Sequence, residues 1–415
     1  MTTHLRTLTT GVLLIWGVVA GCGGDDDGSG PSPTTLSVGG GLPAGATTTG
    51  PGPGGGGGAD VAAGGGASAC VDASTPSVEV YPAGSDRALT RLVRIGSRWL
   101  AAGFDGYVRF DDDGANADPE PTSFGQGGFH VLAAEPALGA VGYGAAGDTA
   151  VAYQRLGEVE AITGPRGLAS EVAQAVAVAA ADDVSVVVWA RNGALWGRTV
   201  DGAGAPGDGV FLVQAGAYAT SVRLFGVSGG SATAVFGWTG ASTPGVFQSQ
   251  LLRLDPADPA GGEPPNPFFV SADQHELLGI AATDDGYAAL VQGGPGGAQL
   301  LSLDGFGNAI VSSGALPGAL PAYGLASLGD RIAVVARGDD GSPRVRVFDL
   351  DLVPVGPWVC LDVDHDPTVA PTVAPDPAEG FAVLYQRPDG STHLIRVDDG
   401  GYSAGQIGRF DWPKK

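Results

Sequence analysis

A short apolar stretch, often ending in an aromatic residue, recurs along most of this 415-residue chain. Seven such stretches occur, and their last residues are separated by 49, 36, 49, 53, 45 and 49 positions. A period of about 40–50 residues is typical of folds in which similar units pack side by side. The stretches are residues 100–104 (LAAGF), 149–153 (TAVAY), 185–189 (SVVVW), 234–238 (AVFGW), 287–291 (YAALV), 332–336 (IAVVA) and 381–385 (FAVLY).

The same internal order is visible in each unit. Polar turns flank the apolar stretch, and a further strand ends near an aspartate, as at Asp304 and Asp349. Pairs such as Asn192-Gly193 favour two-residue hairpin turns, because those turns need positive φ angles. Four short strands in each of seven units predict an all-β fold, a seven-bladed β-propeller of four-stranded antiparallel blades.

A closed ring must not leave an open sheet edge. The last unit has only a weak fourth strand after Val397, whereas Val78–Tyr81, at the start of the domain, alternates like a fourth strand. The sequence therefore predicts that Val78–Tyr81 is the outer strand of the last blade.

Residues 169–181 allow two interpretations. Their many alanines favour a helix. Val172, Gln174, Val176 and Val178 instead alternate with period two, which favours a strand. We predict a strand from this alternation.

The first 22 residues predict secretion. The apolar run at residues 11–20 is too short to span a membrane, which takes about 20 residues, but it suits a secretory signal peptide. It leads into Val19-Ala20-Gly21-Cys22, an aliphatic residue and two small residues before a cysteine. This pattern resembles the lipobox of bacterial lipoproteins, which implies cleavage after Gly21 and lipidation of Cys22, for example with palmitate. An ordinary signal peptide with a chance cysteine is the alternative.

The segment after this cysteine has a composition typical of a linker. Residues 22–75 are rich in glycine, proline, serine and threonine and contain no lysine or arginine. Such a segment buries too little apolar surface to offset its chain entropy, and we predict a disordered tether. The predicted domains are a signal peptide (1–21), the lipidated cysteine with its linker (22–75) and the propeller (76–415). Because Gly23 follows the cysteine, the resemblance implies a lipid-anchored envelope protein, in the outer membrane if the cell is Gram-negative.

Charge restricts the partners. The chain has 44 acidic and 21 basic residues, a formal net charge of −23. Phosphate backbones repel such a chain, which excludes nucleic acid as a partner. We expect contact with the membrane through the lipid anchor, and an envelope protein or a glycan as the bound partner.

Export also bears on the other cysteines. If Cys22 is lipidated, Cys70 and Cys360 are the two thiols left in an oxidising compartment, where disulfides persist. An even pair in an exported chain indicates a bond. The predicted fold places Cys360 on the outer strand of the sixth blade and Cys70 just before the outer strand of the neighbouring seventh. Two unrelated thiols are the alternative.

Two acidic clusters resemble sites for a hard cation. Asp362, Asp364 and Asp366 alternate, which would place three carboxylates on one side of an extended loop, as calcium prefers. Residues 111–118 hold a second acidic cluster. Neither cluster is a complete calcium loop, and solvated interblade loops are the alternative. Beyond calcium we expect no cofactor.

No catalytic set emerges from the sequence. Residues 226–230 (GVSGG) match the G-x-S-x-G pattern, but that pattern acts on a strand-to-helix turn and here lies between two predicted strands. We therefore expect a membrane-anchored lipoprotein whose propeller is a binding or scaffold module. A propeller-fold hydrolase or lyase acting on glycans or peptides, and a purely structural surface component, are the alternatives.

Overall fold

The computed structural model describes residues 71–400 with several gaps. The gaps are residues 73–76, 82–88, 104–105, 113, 115–128, 136–139, 146–150, 172, 220, 228–232, 244–245, 260–265, 268–274, 293–296, 317–321, 338–341, 362–364 and 379. In the described part every regular element is a β-strand, and the prediction of an all-β fold is confirmed.

The strands form seven sheets. Two strands come first in the chain, β1 (Val71–Asp72) and β2 (Val78–Tyr81). The next are β3 (Leu89–Ile95), β4 (Arg98–Gly103) and β5 (Gly106–Phe110), then β6 (Phe129–Glu135), β7 (Ala140–Ala145), β8 (Val151–Arg155) and β9 (Arg166–Ala169). They are followed by β10 (Ala175–Ala181), β11 (Val184–Arg191), β12 (Ala194–Val200) and β13 (Phe211–Gln214), then β14 (Ser221–Val227), β15 (Ala234–Thr243), β16 (Val246–Leu254) and β17 (Asn266–Pro267). The last are β18 (Glu276–Thr283), β19 (Gly286–Gln292), β20 (Ala298–Asp304) and β21 (Ala309–Ala315), then β22 (Ala322–Leu328), β23 (Arg331–Arg337), β24 (Pro343–Asp349) and β25 (Val359–Cys360), and finally β26 (Thr372–Asp376), β27 (Gly380–Gln386) and β28 (Thr392–Val397).

These sheets have the architecture of a β-propeller. Six of them have four or five strands and are complete blades, and β3–β5 forms a three-stranded sheet within the described residues. One edge strand of each sheet contacts the corresponding strands of the two neighbouring sheets, and β26 contacts β3. These inner strands are β3, β6, β10, β14, β18, β22 and β26. These inner strands therefore surround a common axis. The core lies between neighbouring sheets, where Tyr153 of β8 and Trp189 of β11 belong to one buried cluster.

Counted outward from the inner strand, the apolar stretches of the repeat fall on the second strand of each sheet, with one exception. The predicted equivalence of the seven stretches is wrong for residues 149–153, which fall largely on β8, the third strand of its sheet. The second strand there is β7, and both strands are apolar and contain a tyrosine, Tyr143 or Tyr153. With β7 in its place, the second strands end at residues 103, 145, 191, 243, 292, 337 and 386, so the short step disappears.

The alanine-rich segment forms a strand, which confirms the interpretation from alternation. All seven residues of β10 are buried, because the inner strands β6 and β14 flank it. The backbone of β14 approaches so closely at Gly226 that a Cβ atom there would overlap the carbonyl oxygen of Val178. The small alanine and glycine residues therefore allow close packing of strands here and do not form a helix.

The aspartate that ends the third strand closes the turn to the fourth. In one blade the Oδ1 atom of Asp304 accepts hydrogen bonds from the backbone N–H groups of Phe306 and Asn308, both at 2.8 Å. Asp201 accepts equivalent bonds of 2.9 and 2.7 Å from the second and fourth residues after it. The residue third after the aspartate has a positive φ angle, and it is Gly204 (80°), Gly307 (83°) or Leu352 (60°).

Two strands from the start of the domain complete its last two sheets. β2 pairs antiparallel with β28, with Val78 opposite Leu394, and this confirms the predicted outer strand of the last sheet. β1 pairs parallel with β25, with Val71 opposite Val359. The beginning of the domain is therefore joined to its end at two neighbouring sheets.

A cluster of four charged side chains joins the last sheet to β3–β5. Nη1 of Arg94 lies 2.6 Å from Oδ1 of Asp112 and 3.3 Å from Oδ1 of Asp376. Arg396 contacts the same two carboxylates, with Nη2 at 2.6 Å from Asp112 and Nε at 3.5 Å from Asp376. The indole of Trp99 also donates to Asp112, at 2.9 Å. Asp376 is fully buried, so its charge is balanced inside the protein by the arginines.

Candidate functional site

A cavity of about 540 Å³ lies on the common axis of the inner strands. Residues on or beside β3, β10, β14, β18, β22 and β26 line it. Its volume falls within the range of roughly 300–1,000 Å³ that small-molecule sites occupy. A cavity to which several elements contribute can surround one ligand from several directions.

Two arginines lie at the same level of this cavity. Arg91 of β3 and Arg223 of β14 each precede the last residue of their strand by four positions, and both are exposed to the cavity. Nε of Arg223 lies 2.9 Å from Oε1 of Glu276 on β18. Arg91 lines the cavity, and protein surrounds it. This enclosure lowers the pKa of Arg91, and repulsion from Arg223 lowers it further.

The corresponding positions of three other inner strands carry small side chains. Gly279 on β18, Gly324 on β22 and Thr372 on β26 each also precede the last residue of their strand by four positions. A Cβ atom at Gly324 would meet nothing within 4 Å. These strands therefore leave space at the level where β3 and β14 present guanidinium groups.

The described charged residues of the cavity lining have the opposite sign to the net charge of the whole chain. The chain has more than twice as many acidic as basic residues, yet the charged residues among the described lining are Arg91 and Arg223. Cationic groups inside a low-dielectric cleft raise the local concentration of anions. The cavity is thus suited to a negatively charged group.

The cysteines predicted as functional are only partly within the described residues. Cys22 and Cys70 lie outside them. Cys360 is buried on β25, with its Sγ atom 4.0 Å from the Oγ atom of Ser342. Among the described residues no helix has the length and apolar character needed to cross a membrane.

The proposed calcium ligands are also only partly described. Asp362 and Asp364 lie outside the described residues. The Oδ1 atom of Asp366 accepts bonds from the hydroxyl and the backbone N–H of Thr368, at 2.7 and 2.8 Å, and these bonds lower the pKa of the carboxyl group. Among the described residues no three His, Cys, Asp or Glu side chains form a group that could hold a metal ion. A calcium site at residues 362–366 stays a prediction.

In the second acidic cluster, which resembled a cation site in the sequence, two carboxylates form ion pairs with arginines. Asp112 is held by Arg94 and Arg396, and Nε of Arg98 lies 2.9 Å from Oδ1 of Asp111. Both carboxylates therefore serve contacts within the protein.

A serine and a histidine also meet, but in a structural arrangement. The Oγ atom of Ser391 lies 2.9 Å from Nε2 of His393 and 2.6 Å from Oδ1 of Asp389. In a nucleophilic triad the histidine lies between the acid and the serine, whereas here the serine lies between the acid and the histidine. Both Ser391 and His393 are buried, and Nδ1 of His393 lies 3.2 Å from the Oγ atom of Ser77, next to β2. The group links β2 to β28.

The G-x-S-x-G segment gives no strand-to-helix turn. β14 leads to another strand, β15, of the same sheet. Ser228 itself lies outside the described residues.

Sequence reasoning did not identify Arg91 or Arg223 as site residues. The available signal is positional, because Thr90-Arg91-Leu92 and Val222-Arg223-Leu224 place an arginine at the same point of the first strand in two units. This equivalence becomes visible only when the strands are aligned on their hairpin turns.

Comparison with known proteins supports the fold alone. No protein-family profile and no curated protein matches this chain. A chain in the crystal structure of the mitotic checkpoint complex is 12% identical, with a TM-score of 0.51 over 84% of this chain and 96% of that one. A chain of Kuenenia stuttgartiensis hydrazine synthase is 13% identical, with a TM-score of 0.52 over 75% of this chain and 97% of that one. The Dos1 propeller is 12% identical, with a TM-score of 0.49 over 77% and 83% of the two chains.

Proposed function

We propose that this chain is an envelope lipoprotein whose propeller binds a ligand in its central cavity. The pair of arginines at one level of the cavity, in an otherwise acidic chain, carries the proposal. The described residues that line the cavity include no His, Cys, Asp, Glu, Lys or Tyr, the side chains that usually transfer protons in catalysis. Binding is therefore favoured over an enzymatic reaction.

A binding screen with paired variants tests this role. Fragments of envelope glycans and peptides would be passed over the immobilised full chain, in the wild type and in Arg223→Ala. Arg331→Ala is the matched control, because Arg331 pairs with the exposed Asp330 outside the cavity. We expect one or more fragments to be retained by the wild type and the control and lost by Arg223→Ala. Retention of the same set by all three proteins would contradict binding in the cavity.

The anchor is proposed from the sequence alone. Labelled palmitate should enter the wild-type protein expressed in a bacterium that processes lipoproteins, and it should not enter Cys22→Ser. Equal labelling of the two proteins, or no labelling of either, would contradict the anchor.

A complete ring of seven blades is also a proposal. It is supported by the position of β3–β5, because β3 contacts the inner strands of two neighbouring sheets, β26 and β6. The three strands would then be the inner part of one further blade beside the six complete ones. An experimental structure with six or eight blades would contradict this arrangement.

A Cys70–Cys360 disulfide is proposed from strand pairing. Cys70 directly precedes Val71, whose partner is Val359, and Asp72 is the partner of Cys360. The bond requires a Cα separation of roughly 4.4–6.8 Å. It closes a loop of about 290 residues and would stabilise the fold by up to about 5–6 kcal/mol in the chain-entropy model.

Thiol counting tests this bond. The full chain would be denatured and alkylated without reductant, and the labelled cysteines identified by mass spectrometry. We expect Cys360 to be protected in the wild type and labelled in Cys70→Ser. Labelling of Cys360 in both proteins would show that the bond is absent.

A further inference from the structure

We propose that the neighbouring sheets β18–β21 and β22–β25 form a docking surface for a protein segment that carries both large apolar and basic side chains. Among the described residues, every exposed large apolar side chain lies in the connection from the third to the fourth strand of a sheet or on the first two residues of the fourth strand. Four of them, which we call the apolar seam, belong to these two sheets. They are Phe306, Ile310, Val353 and Val355.

The two connections of the seam lie at one boundary between the sheets. Val311 of β21 and Leu350, just after β24, pack against one buried cluster, and Leu352 belongs to that cluster. Ile310, next to Val311, and Val353, next to Leu352, are instead 62% and 55% exposed. Single exposed apolar side chains are common on protein surfaces, whereas a group rimmed by polar residues marks an interaction site.

The polar residues around the seam are acidic. In an antiparallel sheet the connection from the first to the second strand lies at the same end as the connection from the third to the fourth. The four connections at this end of the two sheets contain no lysine, arginine or histidine. The exposed acidic residues in them are Asp284, Asp285, Asp330 and Asp351.

One contact within the protein already combines the two features of the proposed partner. The guanidinium carbon of Arg253, on the neighbouring strand β16, lies 5.6 Å from the centre of the exposed ring of Phe306. Close to the seam, Arg331 pairs with Asp330 at 2.7 Å. The surface thus accepts basic groups beside both its apolar and its acidic side chains.

This combination of charge and apolar surface favours a basic protein segment over two other occupants. A second copy that docks through the same end would bring like charges together, and anionic lipid head groups would be repelled as well. Apolar side chains of a basic segment would cover the seam, while its lysines or arginines would face the aspartates. Such charge complementarity increases the rate of association and favours the matching partner.

Two synthetic peptides test the proposal on the full chain. One alternates lysine and leucine, and the other has serine in place of each leucine. Binding would be measured by fluorescence anisotropy of the labelled peptides, at low and at physiological salt. We expect the lysine–leucine peptide to bind saturably, and at least about tenfold more tightly than the lysine–serine peptide, because only the leucines bury apolar surface on the seam.

A pair of matched variants locates the apolar contact. Ile310→Thr combined with Val353→Thr keeps β-branched side chains but removes apolar surface, and it should weaken lysine–leucine binding about tenfold or more. The control is Val159→Thr combined with Ile162→Thr, in the connection between β8 and β9. All four side chains are more than half exposed in the wild type. The control should bind the peptide as the wild type does.

A second pair of variants locates the charge. Asp284→Asn combined with Asp285→Asn should weaken binding about three- to tenfold at low salt, and less at physiological salt because salt screens exposed charges. Asp182→Asn combined with Asp183→Asn changes the equivalent exposed turn, between β10 and β11, and should stay within about twofold of the wild type. Circular dichroism of each variant checks that the fold is retained.

Four results would overturn the proposal. They are no saturable binding of the lysine–leucine peptide, equal binding of the two peptides, unchanged affinity in both seam variants, and an equal loss in a seam variant and its control. Sedimentation tests the other occupants. Self-association of the wild type, or its binding to vesicles of phosphatidylcholine and phosphatidylglycerol, that is lost in the variant with Ile310→Thr and Val353→Thr would assign the seam to a second copy or to lipid and refute the basic partner.

Discussion

Replacing Asp376 with asparagine should destabilise the protein strongly, because this carboxylate is fully buried between two arginines. Its oxygens lie 3.3 Å from Arg94 and 3.5 Å from Arg396. At an effective dielectric of about 20, each pair is worth roughly 5 kcal/mol of attraction, against several kcal/mol for burying the carboxylate. Asparagine keeps the size of the side chain but leaves one positive charge in excess in the cluster.

The expected loss follows from what remains after the substitution. Breaking a buried ion pair typically costs about 3–5 kcal/mol. Arg94 and Arg396 both keep Asp112, so we expect about 3 kcal/mol, near the lower limit of that range. The measurement is urea denaturation of the full chain followed by tryptophan fluorescence, since the buried Trp99 donates to Asp112 within the same cluster.

A control and a double variant make this prediction decisive. Asp330→Asn removes an exposed carboxylate that pairs with the neighbouring Arg331, and it should change the unfolding free energy by less than about 0.5 kcal/mol. The double variant Asp376→Asn, Arg396→Gln restores the neutrality of the cluster. Its loss of unfolding free energy should therefore be at least about 1 kcal/mol smaller than the sum of the losses in the two single variants. Additive losses, or a stable Asp376→Asn protein, would refute this account of the cluster.

Three further predictions concern acid stability, a turn and strand packing. Burial raises the pKa of Asp112, but the hydrogen bond from Arg94 and the charges of Arg396 and Arg94 lower it more, so the net shift is downward. The stabilisation by this carboxylate is therefore complete above its pKa of about 3.9 in the unfolded chain, and it is lost as the pH falls through the lower pKa of the folded protein. Acid denaturation should consequently show a smaller pH dependence in Asp112→Asn than in the wild type. Asp201→Ala removes two turn hydrogen bonds and should lower the unfolding free energy by about 1 kcal/mol. The control is Asp208→Ala, at a nearby exposed residue, which should change the unfolding free energy by less than about 0.5 kcal/mol in the same denaturation assay. Gly226→Ala would drive a methyl group into the carbonyl of Val178 and should cost at least about 2 kcal/mol, whereas Gly209→Ala, where a Cβ would meet nothing within 4 Å, should melt within a few degrees of the wild type.

The sequence predicts the architecture well where strand patterns are unambiguous. Alternation over residues 172–178 outweighs alanine propensity, because the inner strand β10 is buried on both sides and strand packing decides its conformation. The joining of Val78–Tyr81 to the last sheet is predictable for a similar reason, since an open edge would otherwise remain.

Two features resist prediction for physical reasons. β7 and β8 have similar apolar patterns, so the repeat alone cannot decide which one is the second strand of its sheet. Arg91 and Arg223 are 132 positions apart in the sequence and line the same cavity only because their inner strands surround one axis. The aspartate at the end of the third strand is visible in the sequence, but its function in closing the turn depends on backbone geometry that composition does not contain.

The joining of the beginning of the domain to its end at two neighbouring sheets has a consequence for the order of folding. β2 cannot pair until β28, more than 300 residues later, has been synthesised. Contacts between residues so distant in sequence form slowly, because loop closure costs entropy before any contact repays it. A chain that emerges with its N-terminus first would therefore hold β1 and β2 unpaired while the intermediate blades form, and the N-terminal segment would be the last to become protected from proteases.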